Sequence, residues 1–311
     1  MTPQTVLKIN QLNKSYGSKR ALININLEVK AGEKVALLGC NGAGKSTFIN
    51  IATGLKYPSS GDVFVFNESS LLLSSKKKLA YLPQTLKFSG HLKVKDILKL
   101  VEAHFNSKIK DSILDRLELK PLLNRYCHGL SGGEERKLGL ATCLIGNRPF
   151  LILDEPTANV DLVAKNEIHK ILLETVAQES KALLFSSHEM AEVEKLADRV
   201  IVLNQGQIVA EGKVSEIKKS FGLMTVTFES QIESLNLNSS TKIEFFQNGI
   251  QSLLPNELKI KNNNFIKYKV YGPNSDQIIT ELVQKNIDFK NLVIEQTSLD
   301  DVFLKLWSQK T

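Results

Sequence analysis

Over the first two hundred or so residues, apolar positions recur alternately at strand-like and helix-like spacing. Val6–Leu12 and Ala21–Val29 read as strands. In the second, period two places Leu22, Asn24 and Asn26 on one face and Ile23, Ile25 and Leu27 on the other. Ala31-Gly32-Glu33 signals a turn, so Lys34–Leu38 is expected as a short buried strand, followed by a glycine-rich turn and a helix from about Lys45 to Thr53. Pro58–Asp62 punctuates the chain before a strand at Val63–Phe66. From Val94 to about Leu123 the apolar spacing is helical and predicts an α-helical insert. Phe150–Leu153, Ala182–Ser186 and Arg199–Leu203 are short apolar runs separated by helical stretches, the pattern of a parallel α/β sheet.

Near Ile217–Gly222 the texture changes. Met224–Glu229, Phe265–Tyr271 and Leu292–Gln296 read as strands and Gln277–Val283 as a helix, which predicts a small α+β domain from about residue 221 to 311. Ser298 is expected to cap a last helix carrying Leu299, Val302, Phe303 and Leu306 on one face. With 311 residues and roughly 150 per domain, two domains are expected.

Composition narrows the function classes. Hydrophobic residues make up 42% and charged residues 23%, close to the globular average, which excludes a disordered, collagen-like or coiled-coil chain. No apolar run exceeds four residues, against the roughly 20 that a membrane span needs. The polar start, Met1–Asn10, lacks a signal-peptide apolar region, so a soluble cytosolic chain is expected. Cys40, Cys127 and Cys143 form neither a disulfide framework nor a CxxC pair, in keeping with a reducing compartment. The net charge of +7 is compatible with nucleic acid, anionic lipid or polyphosphate, or with scattered solvated lysines such as Lys76–Lys78.

The segment Gly39-Cys40-Asn41-Gly42-Ala43-Gly44-Lys45-Ser46-Thr47 fits G-x-x-x-x-G-K-[ST] between a strand and a helix. Glycines allow the tight turn that aims successive N–H groups at phosphate oxygens, and the helix adds its positive end. Lys45 would meet the β- and γ-phosphates, and the Ser46 hydroxyl would be a magnesium ligand. Asp154 and Glu155 end the apolar strand from Phe150, where open α/β sheets place their ligands. Asp154 would hold magnesium through water, and Glu155 would orient or deprotonate the attacking water. Leu130-Ser131-Gly132-Gly133-Glu134 opens another helix with exposed amides. It is either a plain N-cap or a second phosphate-binding face that closes over the nucleotide of another subunit. Cys40 sits near a helix start, where a thiol can become reactive, and the alternative is an inert filler.

In this order and spacing, residues 1 to about 220 resemble the ATP-binding subunits of ABC transporters. The resemblance implies a P-loop NTPase domain with a helical subdomain at about 85–148, followed by the small α+β domain. Tyr16 matches the aromatic residue on which adenine stacks, and Gln84 the glutamine that meets magnesium and relays to a membrane partner. Ser131, Gly132 and Gly133 match the signature that closes over ATP. Asp161, in Ala158-Asn159-Val160-Asp161, matches the loop that crosses the dimer interface, and His188 the switch histidine at the γ-phosphate. The family's signature usually ends in glutamine where this chain has Glu134, a change expected to have little effect, and Asn159-Val160 is atypical. Gln296–Phe303 resembles an "SLEDVF" ending of bacterial export ATPases.

What the resemblance implies is ATP hydrolysis with ATP and magnesium bound, in a head-to-tail dimer with itself or a homologous ATPase. It further implies transmembrane permease subunits as partners, peripheral attachment to the cytoplasmic face of the cell membrane, and export as the process energised. The rival is a soluble ABC-type ATPase acting on nucleic acid or ribosomes. It is mildly favoured by the charge of +7, but the chain has neither tandem nucleotide sites nor a long coiled-coil insertion. No nucleic-acid partner is therefore expected.

Overall fold

The structure is a computed structural model that describes residues 4–179, 181–220, 224–232, 235, 237–238, 242–247, 250–253 and 266–296. The chain divides into two compact units, residues 1–214 and 215–311. The unit-1 strands are β1 (Thr5–Tyr16), β2 (Lys19–Lys30), β3 (Lys34–Leu38), β4 (Ser60–Val65), β5 (Glu68–Ser69), β6 (Leu79–Leu82), β7 (Phe150–Asp154), β8 (Ala182–Ser186), β9 (Arg199–Asn204) and β10 (Gln207–Lys213). Between them run the helices α1 (Lys45–Ala52), α2 (Leu73–Lys77), α3 (Val94–Phe105), α4 (Asp111–Arg116), α5 (Gly132–Leu144), α6 (Leu162–Glu179) and α7 (Met190–Leu196). No helix among the described residues is long and apolar enough to cross a membrane.

Among the described residues, unit 1 carries two sheets. One has the order β2-β1-β4-β5 and is antiparallel; the other has the order β10-β9-β3-β8-β7-β6, parallel except for the β10 edge. An apolar core joins them. Phe48, Ile49, Ile51 and Ala52 of α1 pack with Leu7, Ile25 and Val65 of the first sheet and Leu37, Ile152 and Ile201 of the second. Strands β7 and β8 are buried along their whole length, which is why they read as continuous apolar runs.

Three local readings need correction. Leu22 is buried together with Ile25, Leu27 and Val29, while Asn24 and Asn26 are exposed, so Leu22 does not share the asparagine face. Asn24 takes φ 48°, and the register against β1 shifts nearby, where Gln11 takes φ 46°. This irregularity moves the pleat by one residue. Asparagine side chains satisfy the disturbed ladder: the Gln11 amide donates to Asn26 Oδ1 and the Asn24 amide to Asn13 Oδ1, each at 2.8 Å. Second, β4 starts at Ser60, inside the expected turn, because Ser60 already pairs with Asn13. Third, Lys78 is not a free solvated lysine: its ammonium lies 2.7 Å from Glu68 Oε1 and 5.8 Å from the Phe66 ring. Strands β6 and β10 and the short helix α2 are elements that the apolar pattern did not announce.

Unit 2 begins with most of helix α8 (Val214–Ser220) and holds β11 (Met224–Ser230), β12 (Lys242–Gln247), β13 (Ile250–Leu253), β14 (Ile266–Gly272), α9 (Ser275–Gln284) and β15 (Lys290–Gln296). Its antiparallel sheet has the order β13-β12-β14-β11-β15. Phe228 stacks on Tyr268 at 5.5 Å, and Ile278 and Leu282 of α9 join the same core. The expected helix after Ser298 and the SLEDVF-like stretch from Thr297 onward lie outside the described residues.

Candidate ATP site

Parallel pairing sets the site. Leu37 and Asp154 are both in register with Ser186, and Leu82 with Leu153. The segments that leave β3, β8, β7 and β6 therefore emerge side by side at the carboxyl ends of the strands, where α/β sheets bind ligands. Three inter-strand steps separate β3 from β6, roughly 14 Å.

The loop after β3 is shaped by close backbone approach. A Cβ on Gly39, at φ 156°, would meet the Leu203 carbonyl oxygen at 2.5 Å, and one on Gly44, at φ 110°, the Ala21 carbonyl oxygen at 2.6 Å. Only glycine fits at either position. Gly44 is also the N-cap of α1, and no side chain caps that helix end. The first-turn amides of α1 therefore point at the cavity with no side-chain acceptor, the arrangement that attracts phosphate. Lys45 Nζ donates to the carbonyl oxygens of Gly39 at 2.6 Å and Cys40 at 3.3 Å.

A cavity of about 370 Å³ opens there. Its walls include Cys40, Asn41, Gly42, Gly44, Lys45, Ser46 and Thr47 from the loop and helix start. Tyr16 at the end of β1, Gln84 after β6, Asp154 at the end of β7 and Glu155 just after it close the cavity from other elements. Tyr16 is 42% exposed, and its hydroxyl lies 3.3 Å from Lys56 Nζ. His188 stands over the same corner, with Nδ1 3.5 Å from Glu155 Oε1. Ala43 is buried beside Gly39.

Ser131, Gly132, Gly133 and Asp161 are not among the residues lining this cavity. Ser131 is the N-cap of α5 in a complete capping box: the Glu134 amide donates to Ser131 Oγ at 3.2 Å, and the Ser131 amide to Glu134 Oε2 at 2.7 Å. A Cβ on Gly133 would stand 2.7 Å from the Asn159 carbonyl oxygen, so the signature packs on the loop after β7. Asp161 accepts from the Val163 and Ala164 amides at 3.0 Å and caps α6.

Charge is tightly managed around β7. Burial raises the Asp154 pKa above its ordinary value, while the Ser186 hydroxyl, donating to Asp154 Oδ1, works against that rise. Burial, and then the Asp154 charge, push Tyr81 up to about 12. Glu155 takes φ 54°, a left-handed backbone that costs a non-glycine residue roughly 1–2 kcal/mol. Its amide is held by the Ser186 carbonyl at 3.2 Å and the Ser186 hydroxyl at 3.0 Å. A strained residue so held is typical of functional positions. Ser46, Gln84 and Asp154 line one cavity, and the hard oxygen donors of these residue types fit magnesium.

Several contributing residues escaped the sequence reading. Ser186 ended an expected strand, Ala182–Ser186, but its contacts to both acidic residues were not legible. The buried carboxylate of Glu192 accepts from Thr157 Oγ1 at 2.8 Å and Ser187 Oγ at 2.6 Å. His169 Nε2 lies 3.0 Å from the same carboxylate, and all four residues are 3% exposed. These partners, together with burial working against them, leave the Glu192 pKa below its ordinary value. The cluster ties the segment after Glu155 to the segment before His188.

A strand, a glycine-rich loop and a helix on a parallel sheet, with an acidic strand end beside them, define a P-loop NTPase. Comparison with known proteins then specifies the family. Residues 22–158 match the family model described as ABC transporter. The chain is 31% identical over 316 residues to the ABC transporter ced-7 of Caenorhabditis elegans, covering 97% of this chain and 18% of that protein. It is 27% identical over 308 residues to the uncharacterized ABC transporter ATP-binding protein YxlF of Bacillus subtilis, covering 97% of this chain and 99% of that protein. The dimeric post-hydrolysis state of the ATP-binding cassette MJ0796, bound to ADP and Pi, superposes with a TM-score of 0.61 at 25% identity, covering 67% of this chain and 98% of that one. The chain thus spans less than a fifth of ced-7 and nearly all of YxlF. It carries an ABC transporter ATPase domain homologous to ABC ATP-binding subunits.

Proposed function

We propose that this chain binds and hydrolyses ATP to energise export through a separate membrane permease. In this reading it works at the cytoplasmic face of the cell membrane as a head-to-tail dimer with itself or a homologous ATPase. The observation that carries the proposal is the meeting of Lys45, Ser46, Gln84, Asp154 and Glu155 at one cavity, with His188 3.5 Å from Glu155. Tyr16 stacks on adenine, residues 39–47 cradle the phosphates, and Lys45 neutralises the β- and γ-phosphates. Glu155 orients water and draws its proton, and His188, with Nδ1 3.5 Å from Glu155 Oε1, contacts the γ-phosphate. Ser46, Gln84 and Asp154 would hold magnesium, which when bound spreads the charge that develops on the phosphate oxygens.

Ser131, Gly132 and Gly133 of the opposite subunit close over the nucleotide, and Asp161 belongs to the loop between the subunits. Their position outside the cavity of a single chain supports such a division of labour. The ATP-binding domain takes residues 1 to about 220, with its helical subdomain at about 85–148 turned to the permease and an accessory domain from 221 to 311. Glu155→Gln is expected to keep ATP binding, lower turnover by about 10²–10⁴-fold and trap the dimer. Full turnover in that variant would refute the assignment of the general base. A polytopic protein co-purifying from membranes supports the transport role, whereas salt-sensitive retention of nucleic acid would replace it.

A further inference from the structure

Arg136, in the second turn of α5, is 4% exposed and reaches two separate segments at once. Its Nη1 donates to the carbonyl oxygens of Pro83 at 2.5 Å and Gln84 at 3.3 Å. Its Nη2 donates to the carbonyl oxygens of Asp154 and of Glu155, the latter at 2.6 Å. A planar guanidinium fixes the directions of its donors, so each end of the fork holds one loop in a set relation to the other. Glu155 is thereby gripped on both sides, its amide by Ser186 and its carbonyl by Arg136, which keeps the residue in its left-handed backbone.

The same helix begins at Ser131. It also lies hard against the β6 segment: a Cβ on Gly139 would stand 2.3 Å from Leu86 Cδ2 and 2.8 Å from Leu82 Cδ1. A displacement of the α5 start therefore reaches the Gln84 and Glu155 backbones through one side chain.

We propose that Arg136 is a positioning residue that locks the Gln84 segment to the Glu155 segment and passes the placement of α5 to both. The inference rests on the assignment of Gln84 and Glu155 to the ATP site. It assigns Arg136 no contact with nucleotide.

The test uses the full chain as wild type, Arg136→Lys, Arg136→Gln and Glu155→Gln. Lysine keeps the charge but presents a point donor that cannot span four carbonyls. In both Arg136 variants kcat should fall at least about tenfold, the order of loss that a small misplacement of catalytic groups produces. The nucleotide dissociation constant should move less than about threefold, which marks a group acting on turnover and not on ground-state binding. Amide exchange should accelerate in both the 82–86 and the 154–158 segments of Arg136→Lys, and not only within α5. Wild-type kcat in Arg136→Lys would overturn the proposal. So would parallel losses of binding, turnover and thermal stability, or exchange confined to α5. If Arg136→Gln does not fold, Arg136→Lys decides the question alone. Unimpaired turnover in Glu155→Gln would bring down the ATP-site reading itself, whereas an inactive Glu155→Gln beside an unimpaired Arg136→Lys would remove only this inference.

Discussion

Helices α1 and α5 both open with glycines, yet their first turns are served in opposite ways. At α1 the cap is Gly44, no side chain caps the helix end, and the amides face the cavity. At α5 the cap is Ser131, and Glu134 completes a box that satisfies donors within the chain. A helix start offers its positive end to a ligand when nothing local occupies it. The same composition, with a serine and a glutamate at the right spacing, gives an end whose Ser131 and Glu134 amides are already occupied within the chain. Glu134, where the family usually has glutamine, therefore serves the local structure, since it binds the Ser131 amide and pairs with Arg125 at 3.1 Å.

The sharpest way to break this contrast is to remove charge at the open end. Lys45→Ala should weaken nucleotide binding by roughly ten- to hundredfold, the equivalent of one charged hydrogen bond of about 1.5–3 kcal/mol, in equilibrium titration of the purified chain. Ser131→Ala should leave that single-chain binding constant unchanged and cost about 1 kcal/mol of stability in denaturant unfolding, the usual worth of a serine cap. Turnover that requires two chains should drop with it. An equal loss of binding in both variants would show that the two helix starts read nucleotide in the same chain.

Smaller effects sharpen the comparison further. Glu134→Gln retains an acceptor for the Ser131 amide and loses the Arg125 pair, a partly exposed interaction worth less than about 1 kcal/mol. Acid should separate the two ends as well. The backbone hydrogen bond from Ser131, followed by weaker contributions that include Arg125, holds the Glu134 pKa below its ordinary 4.5. A depressed folded value means that the carboxylate's stabilisation is fully present above 4.5 and is lost as pH falls through the folded value. On acidification below 4.5, NMR shifts at residues 131–134 should therefore report loosening of the cap, while α1, capped by glycine, shows no matching transition. Simultaneous transitions at both ends would indicate global acid unfolding instead.

How much was readable in advance followed the range of the interactions. The strand, glycine loop and helix over residues 34–52 involve neighbours in the chain, and their types and spacing announce the geometry. The acidic strand end at Asp154 and Glu155 was legible for the same reason, since β7 is buried on both faces and written as an apolar run. Leu22 was misplaced because one left-handed asparagine shifts the pleat, and period two carries no warning of that. Strands β12 and β13 were missed because pairing with β14 and with each other defines them, not a clear alternation of their own.

Arg136 and the Thr157–Ser187–Glu192–His169 cluster were invisible for a deeper reason. Each joins segments far apart in sequence, and a buried charged or polar side chain is identified by its partners, not by its type. The phosphate loop, the acidic strand end and the glycine-rich α5 start were all written into the chain, because short-range sterics and hydrogen bonding dictate them. The resemblance named Gln84, Glu155 and His188, but the contacts by which they meet, with Ser131 and Asp161 outside the cavity lining, were decided by the folded arrangement. It is set by the lateral order of parallel strands, which depends on how long-range burial is shared among them.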